Sequence, residues 1–399
     1  MPTKPSPTAN CLLHVLVHRN TMSNKRGETK TKSNRNPNTS KASTKLPLMR
    51  SYARIKPASA DKKGGTNAKQ SISEWDGASG TVTFHPSVEG VKNKSVRFEH
   101  FLHCIAPTDT QEHTYLTMCS PLVSLWLDGY DCDVICYGQT GSGKTYTQFG
   151  PPHSMQEALS NLGESGGKGT LSSQSIMEEH HGFILRTGFA ALETVQRINA
   201  KNDGSLALLH GSMVEMSILQ KSQNAGDLLN HKKSCFVDKD KHLEGAVHRP
   251  LLDARDLIEL AAAVETRLSR GTKMNNSSSR SHCITVFTLH VRDPNNCVRV
   301  SRFNFFDFMG SERFSGANSA HNSGQSARST TAGWEGIFAN YSLLFLGEAV
   351  RAAANARRKK KGTIQKMGGQ GFLNELLGTF CCAFLGGVYE TTILLCLFL

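Results

Sequence analysis

Residues 138–145 read Gly138-Gln139-Thr140-Gly141-Ser142-Gly143-Lys144-Thr145, a glycine, four residues, then Gly-Lys-Thr. This is the spacing of a phosphate-binding loop. Glycines allow backbone N–H groups to turn inward around phosphate oxygens, where a side chain would collide. Lys144 supplies a point charge for the β- and γ-phosphates, and the Thr145 hydroxyl is a ligand type suited to Mg²⁺. The apolar run "DVICY" before the loop predicts a buried strand. A helix start after it would aim its positive end at phosphate.

Holding a nucleotide is not hydrolysing it; that needs residues that sense the terminal phosphate and position water. Two later segments have the required chemistry. "NNSSSRSH" at 275–282 concentrates hydroxyls, an arginine and a histidine, suited to completing a Mg²⁺ shell and pairing with phosphate or carboxylate. "NFFDFMGSE" at 304–312 ends an apolar strand on Asp307, followed by Gly310 and Glu312. An acid there suits the water shell of a metal, and Gly310 lets a backbone N–H approach the γ-phosphate.

Taken together and in this order, these segments resemble the kinesin motor domain. The matching stretches are "YGQTGSGKTYT", "TKMNNSSSRSH", "DFMGSER" and "EGIFANYSLLFLGEAV". Arg54-Ile55-Lys56-Pro57 stands where that family has Arg-x-Arg-Pro, "HGFILR" at 181–186 lies near its Gly-Ile-Ile-Pro-Arg, and "LGG" at 385–387 matches the start of its Leu-Gly-Gly-Asn. The resemblance covers residues 51–399 and implies a P-loop α/β fold. Its centre is a mixed, mostly parallel sheet of about eight strands with helices on both faces.

The resemblance implies ATP and Mg²⁺ as ligands and assigns roles. Arg54 and Pro57 would flank the adenine, Tyr146 would stack on it, and Gly138 to Thr145 would hold the phosphates. Thr145 and Ser279 would bind Mg²⁺ directly and Asp307 through water. Ser278 and Ser279 belong to the first switch loop, Asp307 and Gly310 to the second. Arg280 would pair with Glu312 when the site closes, a latch between separate loops around the γ-phosphate. The implied partner is the microtubule, and the implied location the cytoskeleton of the cytoplasm. Arg357-Arg358-Lys359-Lys360-Lys361 falls in a loop that faces the track in relatives, where it would attract acidic tubulin tails.

The sequence departs from the family at Phe308 and Met309, which replace smaller residues after Asp307, and in a long polar stretch after Glu312. "MGGQGFLNELL" lacks the basic residues usual before the last helix, and the family's final helix and neck linker find no counterpart after "TTILLCLFL". Two readings stay open: a motor that couples ATP hydrolysis to movement, or a non-motile microtubule-binding protein that scarcely hydrolyses. A nucleic-acid ATPase would suit the net charge of +13 but offers no recognised nucleic-acid module.

The remaining chain must position these groups. At 399 residues, 38% hydrophobic and 20% charged, it has enough material for a large core. Residues 1–50 carry ten Lys or Arg against the single acid Glu28 and predict a disordered basic arm, with structure starting near Ser51. Strands are predicted at 81–85, 133–137, 206–219, 283–292 and 300–307, and helices at 115–128, 183–199, 335–355 and 371–380. Leu185, Phe189, Leu192, Val195 and Ile198 give the 183–199 helix a core-facing stripe. Residues 151–180 and 314–333 predict loops. The eleven cysteines lack paired metal spacing, which fits a reduced chain. "TTILLCLFL" is far short of the ~20 residues that cross a bilayer and predicts a buried strand, although its last four residues formally fit a prenylation box.

Overall fold

The computed structural model describes residues 49–57, 74–84, 95–164, 177–217, 225–231, 233–237, 243–268, 281–310 and 389–398. Its strands are β1 (Met49–Lys56), β2 (Glu74–Asp76), β3 (Thr81–Phe84), β4 (Val96–Phe98), β5 (His103–Ile105), β6 (Asp131–Tyr137), β7 (Leu206–Ser217), β8 (Ala225–Asp227), β9 (Ser234–Val237), β10 (Leu243–Glu244), β11 (Arg249–Pro250), β12 (Ser281–Arg292), β13 (Val298–Asp307) and β14 (Tyr389–Phe398). Its helices are α1 (Gln111–Met118), α2 (Ser120–Leu127), α3 (Lys144–Phe149), α4 (Ser154–Glu164), α5 (Phe183–Asn199), α6 (Ala254–Ala262) and α7 (Val264–Leu268).

Among the described residues the main sheet has 11 strands, in the order β10-β9-β8-β7-β12-β13-β6-β14-β1-β5, with β11 on β7; β2-β3-β4 form a separate small sheet. The site-bearing centre is parallel: β6 pairs with β13 on one side and β14 on the other, and β14 pairs with β1. The long β7–β12–β13 ribbon is antiparallel. The run at 391–399, expected as a buried strand, falls as far as Phe398 within β14, which lies inside the sheet, hydrogen-bonded along both edges. In that register Cys396 of the formal prenylation box sits opposite Arg54.

Local sequence explains the departures from expectation. The helix expected over 115–128 is two helices, because Pro121 opens a new one after the break at Cys119 and proline lacks the N–H needed in a helix interior. The first begins earlier, at Gln111, where the Thr110 hydroxyl caps the His113 N–H at 3.0 Å. Within the expected 151–180 loop, residues 154–164 form α4. The 81–85 strand belongs to the small sheet, the first described strand starts at Met49 rather than Ser51, and α6 and α7 were not anticipated. The expected elements at 314–333, 335–355 and 371–380 lie outside the described residues.

The core fills the space between the sheet and α2, α5 and α6. Trp126 of α2, with no exposed surface, stacks on Phe287 at 6.1 Å and meets Phe303 edge-on at 5.4 Å. On α5, Leu185, Phe189 and Leu192 are buried as the stripe predicted, with Val195 partly buried against the same core. Gly188 lets α6 come close: a Cβ there would lie 2.3 Å from Leu257 Cδ1. No described helix is long and apolar enough to cross a membrane.

Candidate nucleotide site

β6 ends in the 138–143 loop, which leads directly into α3. Parallel neighbours on both sides bury the strand, as such strands require. Its two acids are satisfied within the sheet: Asp133 accepts from Asn304 Nδ2 at 2.8 Å and Asp131 from the Arg302 N–H at 2.6 Å. In the loop, Gly138, Gly141 and Gly143 take φ of 154°, 78° and 97°, left-handed values that disfavour any side chain. A Cβ on Gly141 or Gly143 would meet nothing within 4 Å, so both glycines border open space.

Lys144 is 6% exposed, and its ammonium donates to the carbonyls of Gly138 at 2.9 Å and Gln139 at 2.8 Å. A buried ammonium must find acceptors, and the loop supplies them. The Thr145 hydroxyl donates to Asp307 Oδ2 at 2.8 Å, bringing together two candidate metal-site residues 162 positions apart. Ser142 Oγ and Asp307 Oδ1 are buried without a protein partner. Donating to Asp307 leaves the Thr145 oxygen's lone pairs available. Two unpaired oxygens, free lone pairs and an open glycine border fit a phosphate and its Mg²⁺.

Behind Asp307 lies a buried network that sequence reasoning missed. Arg267 Nη1 pairs with Asp307 Oδ2 at 2.8 Å, both side chains almost wholly excluded from solvent. Arg267 Nε donates to Ser281 Oγ at 2.9 Å, its Nη2 donates to the Ser281 carbonyl, and Ser281 Oγ donates to Glu215 Oε1 at 2.7 Å. Burial works against the Arg267 charge, but Asp307 and the neighbouring acid outweigh it and raise its pKa. His282, beside Ser281, accepts from the Met309 N–H through Nδ1 at 3.2 Å and meets Phe308 edge-on. Burial, then Arg267 and Lys144, push its pKa down to about 3, so it is neutral. Phe308 and Met309, bulkier than the family resemblance leads one to expect there, are thus absorbed into the core. Arg267 carried no local signal, since an arginine in a short helix ordinarily points to water.

At the end of β1, Arg54 Nη1 donates to Gln111 Oε1 at 2.6 Å and Thr147 Oγ1 at 2.7 Å, and its guanidinium lies 5.7 Å from the Tyr146 ring centre. Gln111 returns a bond from Nε2 to the Tyr146 carbonyl at 2.6 Å. Tyr146 is 41% exposed, and Pro57 is exposed at the end of β1. Lys56, between Arg54 and Pro57, reaches from β1 to the Gly141 carbonyl at 2.9 Å. Gln111 and Lys56 were also missed. Gly310 is buried at the end of the described segment, while Ser278, Ser279, Arg280, Glu312 and the 357–361 run lie outside the described residues.

Comparison with known proteins agrees with this geometry. Human kinesin-like protein KIF15 is 28% identical over 275 residues, covering 66% of this chain and 17% of the relative. Kinesin-like protein KIN-14L of Arabidopsis thaliana is 26% identical over 311 residues, 77% of this chain and 28% of the relative. Kinesin-like protein Nod of Drosophila melanogaster is 27% identical over 265 residues, 64% and 32%. The chain therefore spans at most about a third of the length of these relatives. A solved structure of a fast kinesin superposes with a TM-score of 0.59 at 18% identity, covering 88% of this chain and 85% of that one, which shows the shared fold. The profile of the kinesin motor domain matches residues 54–366, and the chain belongs to the kinesin motor domain family.

Proposed function

We propose that residues 51–399 act as one motor domain that binds ATP with Mg²⁺, hydrolyses it and couples hydrolysis to movement along microtubules. The observation that carries this reading is the Thr145–Asp307 contact at 2.8 Å with Ser142 Oγ and Asp307 Oδ1 left unpaired beside it. Buried oxygens left without a protein partner are costly unless a ligand uses them. The family's microtubule association and the 357–361 cationic run favour the track as partner. Both favour a location at the cytoskeleton.

In this reading Gly138 to Gly143 wrap the phosphates with backbone N–H groups. Lys144 exchanges its two carbonyl acceptors for phosphate oxygens. Thr145 and Ser279 would hold Mg²⁺ and Asp307 would hold its water shell, and the ion would offset charge on the phosphate oxygens. Arg267 keeps the Asp307 carboxylate oriented. Ser278 and Ser279 of the first switch and Gly310 of the second close on the γ-phosphate, and Arg280 latches to Glu312. The closed loops position a water for in-line attack, with no covalent enzyme intermediate. Arg54, Pro57 and Tyr146 hold the base.

Lys144→Ala tests the site. Removing the only side-chain cation of the loop is expected to abolish ATP turnover while the fold, followed by circular dichroism, survives. Undiminished hydrolysis by that variant would overturn the assignment.

A further inference from the structure

Outside the nucleotide site, one turn gathers metal-ligating chemistry. Glu178, His180 and His181 each bring a ligand atom within 4.8 Å of the others. The turn is built rather than incidental. The His181 N–H closes it onto the Glu178 carbonyl at 3.1 Å. From α5, Arg186 donates to the carbonyls of Glu178 at 3.2 Å, Glu179 at 3.0 Å and His181 at 3.0 Å. His180 Nε2 already meets Glu178 Oε2 at 2.9 Å. His181 is fully buried and spends only Nδ1, which accepts from the Glu178 N–H at 3.0 Å, while its Nε2 has no partner.

We propose that Glu178, His180 and His181 form a binding site for one divalent ion of the zinc class, distinct from the Mg²⁺ position at Thr145. Two imidazoles and one carboxylate favour Zn²⁺, Co²⁺ or Ni²⁺ over Mg²⁺, which prefers oxygen ligands. Bonds of about 2.0–2.2 Å require the three ligand atoms to draw together, with water completing the coordination. His180 and Glu178 have half-exposed side chains free to close that gap. His181 joins by giving up one hydrogen bond, that from the Glu178 N–H. That residue is exposed, so water replaces the lost partner. The Arg186 clamp fixes the turn in advance and lowers the ordering cost, while its charge limits affinity. The His180 carbonyl also accepts from Gln111 Nε2 at 3.5 Å, which places the metal turn directly against the Arg54–Gln111 pair.

The test is titration of the full chain with Co²⁺ in excess Mg²⁺, under a non-thiol reductant. The expected result is one equivalent bound at micromolar concentration, with visible ligand-field bands and no thiolate-to-cobalt band. Glu178→Gln and His180→Asn, both on partly exposed side chains, should each weaken binding about tenfold or more. Lys144→Ala should leave the titration unchanged, so loss of nucleotide turnover and loss of metal are separable. Wild-type affinity in either variant, or uptake carrying only the thiolate band, would overturn the site.

Discussion

At the scale of single residues, the account turns on Asp307. One of its oxygens is shared by Thr145 and Arg267, and the other is buried and unpaired. Arg267→Ala would leave that carboxylate buried without its cation, a change that costs about 3–5 kcal/mol in comparable pairs. Denaturant unfolding should show the loss, and adding Asp307→Asn should recover part of it; an unshifted midpoint in the single variant would contradict the pairing. Titration gives a second test. The His282 value of about 3 lies below the ordinary 6.5, so between those values protons bind only on unfolding. Stability should therefore fall as pH drops from about 6.5 towards 3, and His181, held down to about 4 by burial, adds to the same slope. Denaturation midpoints across that range check the sign, and His282→Asn should flatten the slope. The left-handed glycine loop after β6 and the strand-end position of Asp307 were legible in the sequence, from the glycine spacing and from an apolar run ending on an acid. Arg267, Gln111 and Lys56 were not, because their partners lie 40, 57 and 85 positions away in sequence and only the fold joins them.

At the scale of elements, β14 is the hinge of the design. β1 carries Arg54, Lys56 and Pro57 at its end, β6 carries the phosphate loop, and the two do not pair directly; β14 stands between them. Ile393, opposite Ser51 on one side and Ile135 on the other, sits mid-strand. Ile393→Pro removes a backbone donor from a central strand, which costs ~3 kcal/mol or more. It should weaken ATP binding by separating the base side from the phosphate side, measurable with a fluorescent nucleotide. Wild-type affinity in that variant would contradict this role. The apolar run made the strand itself legible, but its place in the sheet was not, because strand order depends on pairings that no local pattern encodes. Helical spacing likewise located α5 in full, whereas α4 hid in a polar stretch whose composition resembled a loop.

At the scale of the whole molecule, the parallel centre brings the loop after β6, the acid ending β13 and the end of β1 to one edge of the sheet, as open α/β folds do. Binding there serves a motor only if the track alters what the site does. In the proposed reading the 357–361 run would supply the charge for that encounter, and attraction of this kind weakens as salt screens it. The most direct test is steady-state ATP hydrolysis with Mg²⁺, measured with and without microtubules at low salt, for the wild-type chain and Lys144→Ala. The expected result is turnover by the wild type that rises when microtubules are added, with none by the variant under either condition. Hydrolysis that is absent from the wild type, or equal in both proteins, would contradict it.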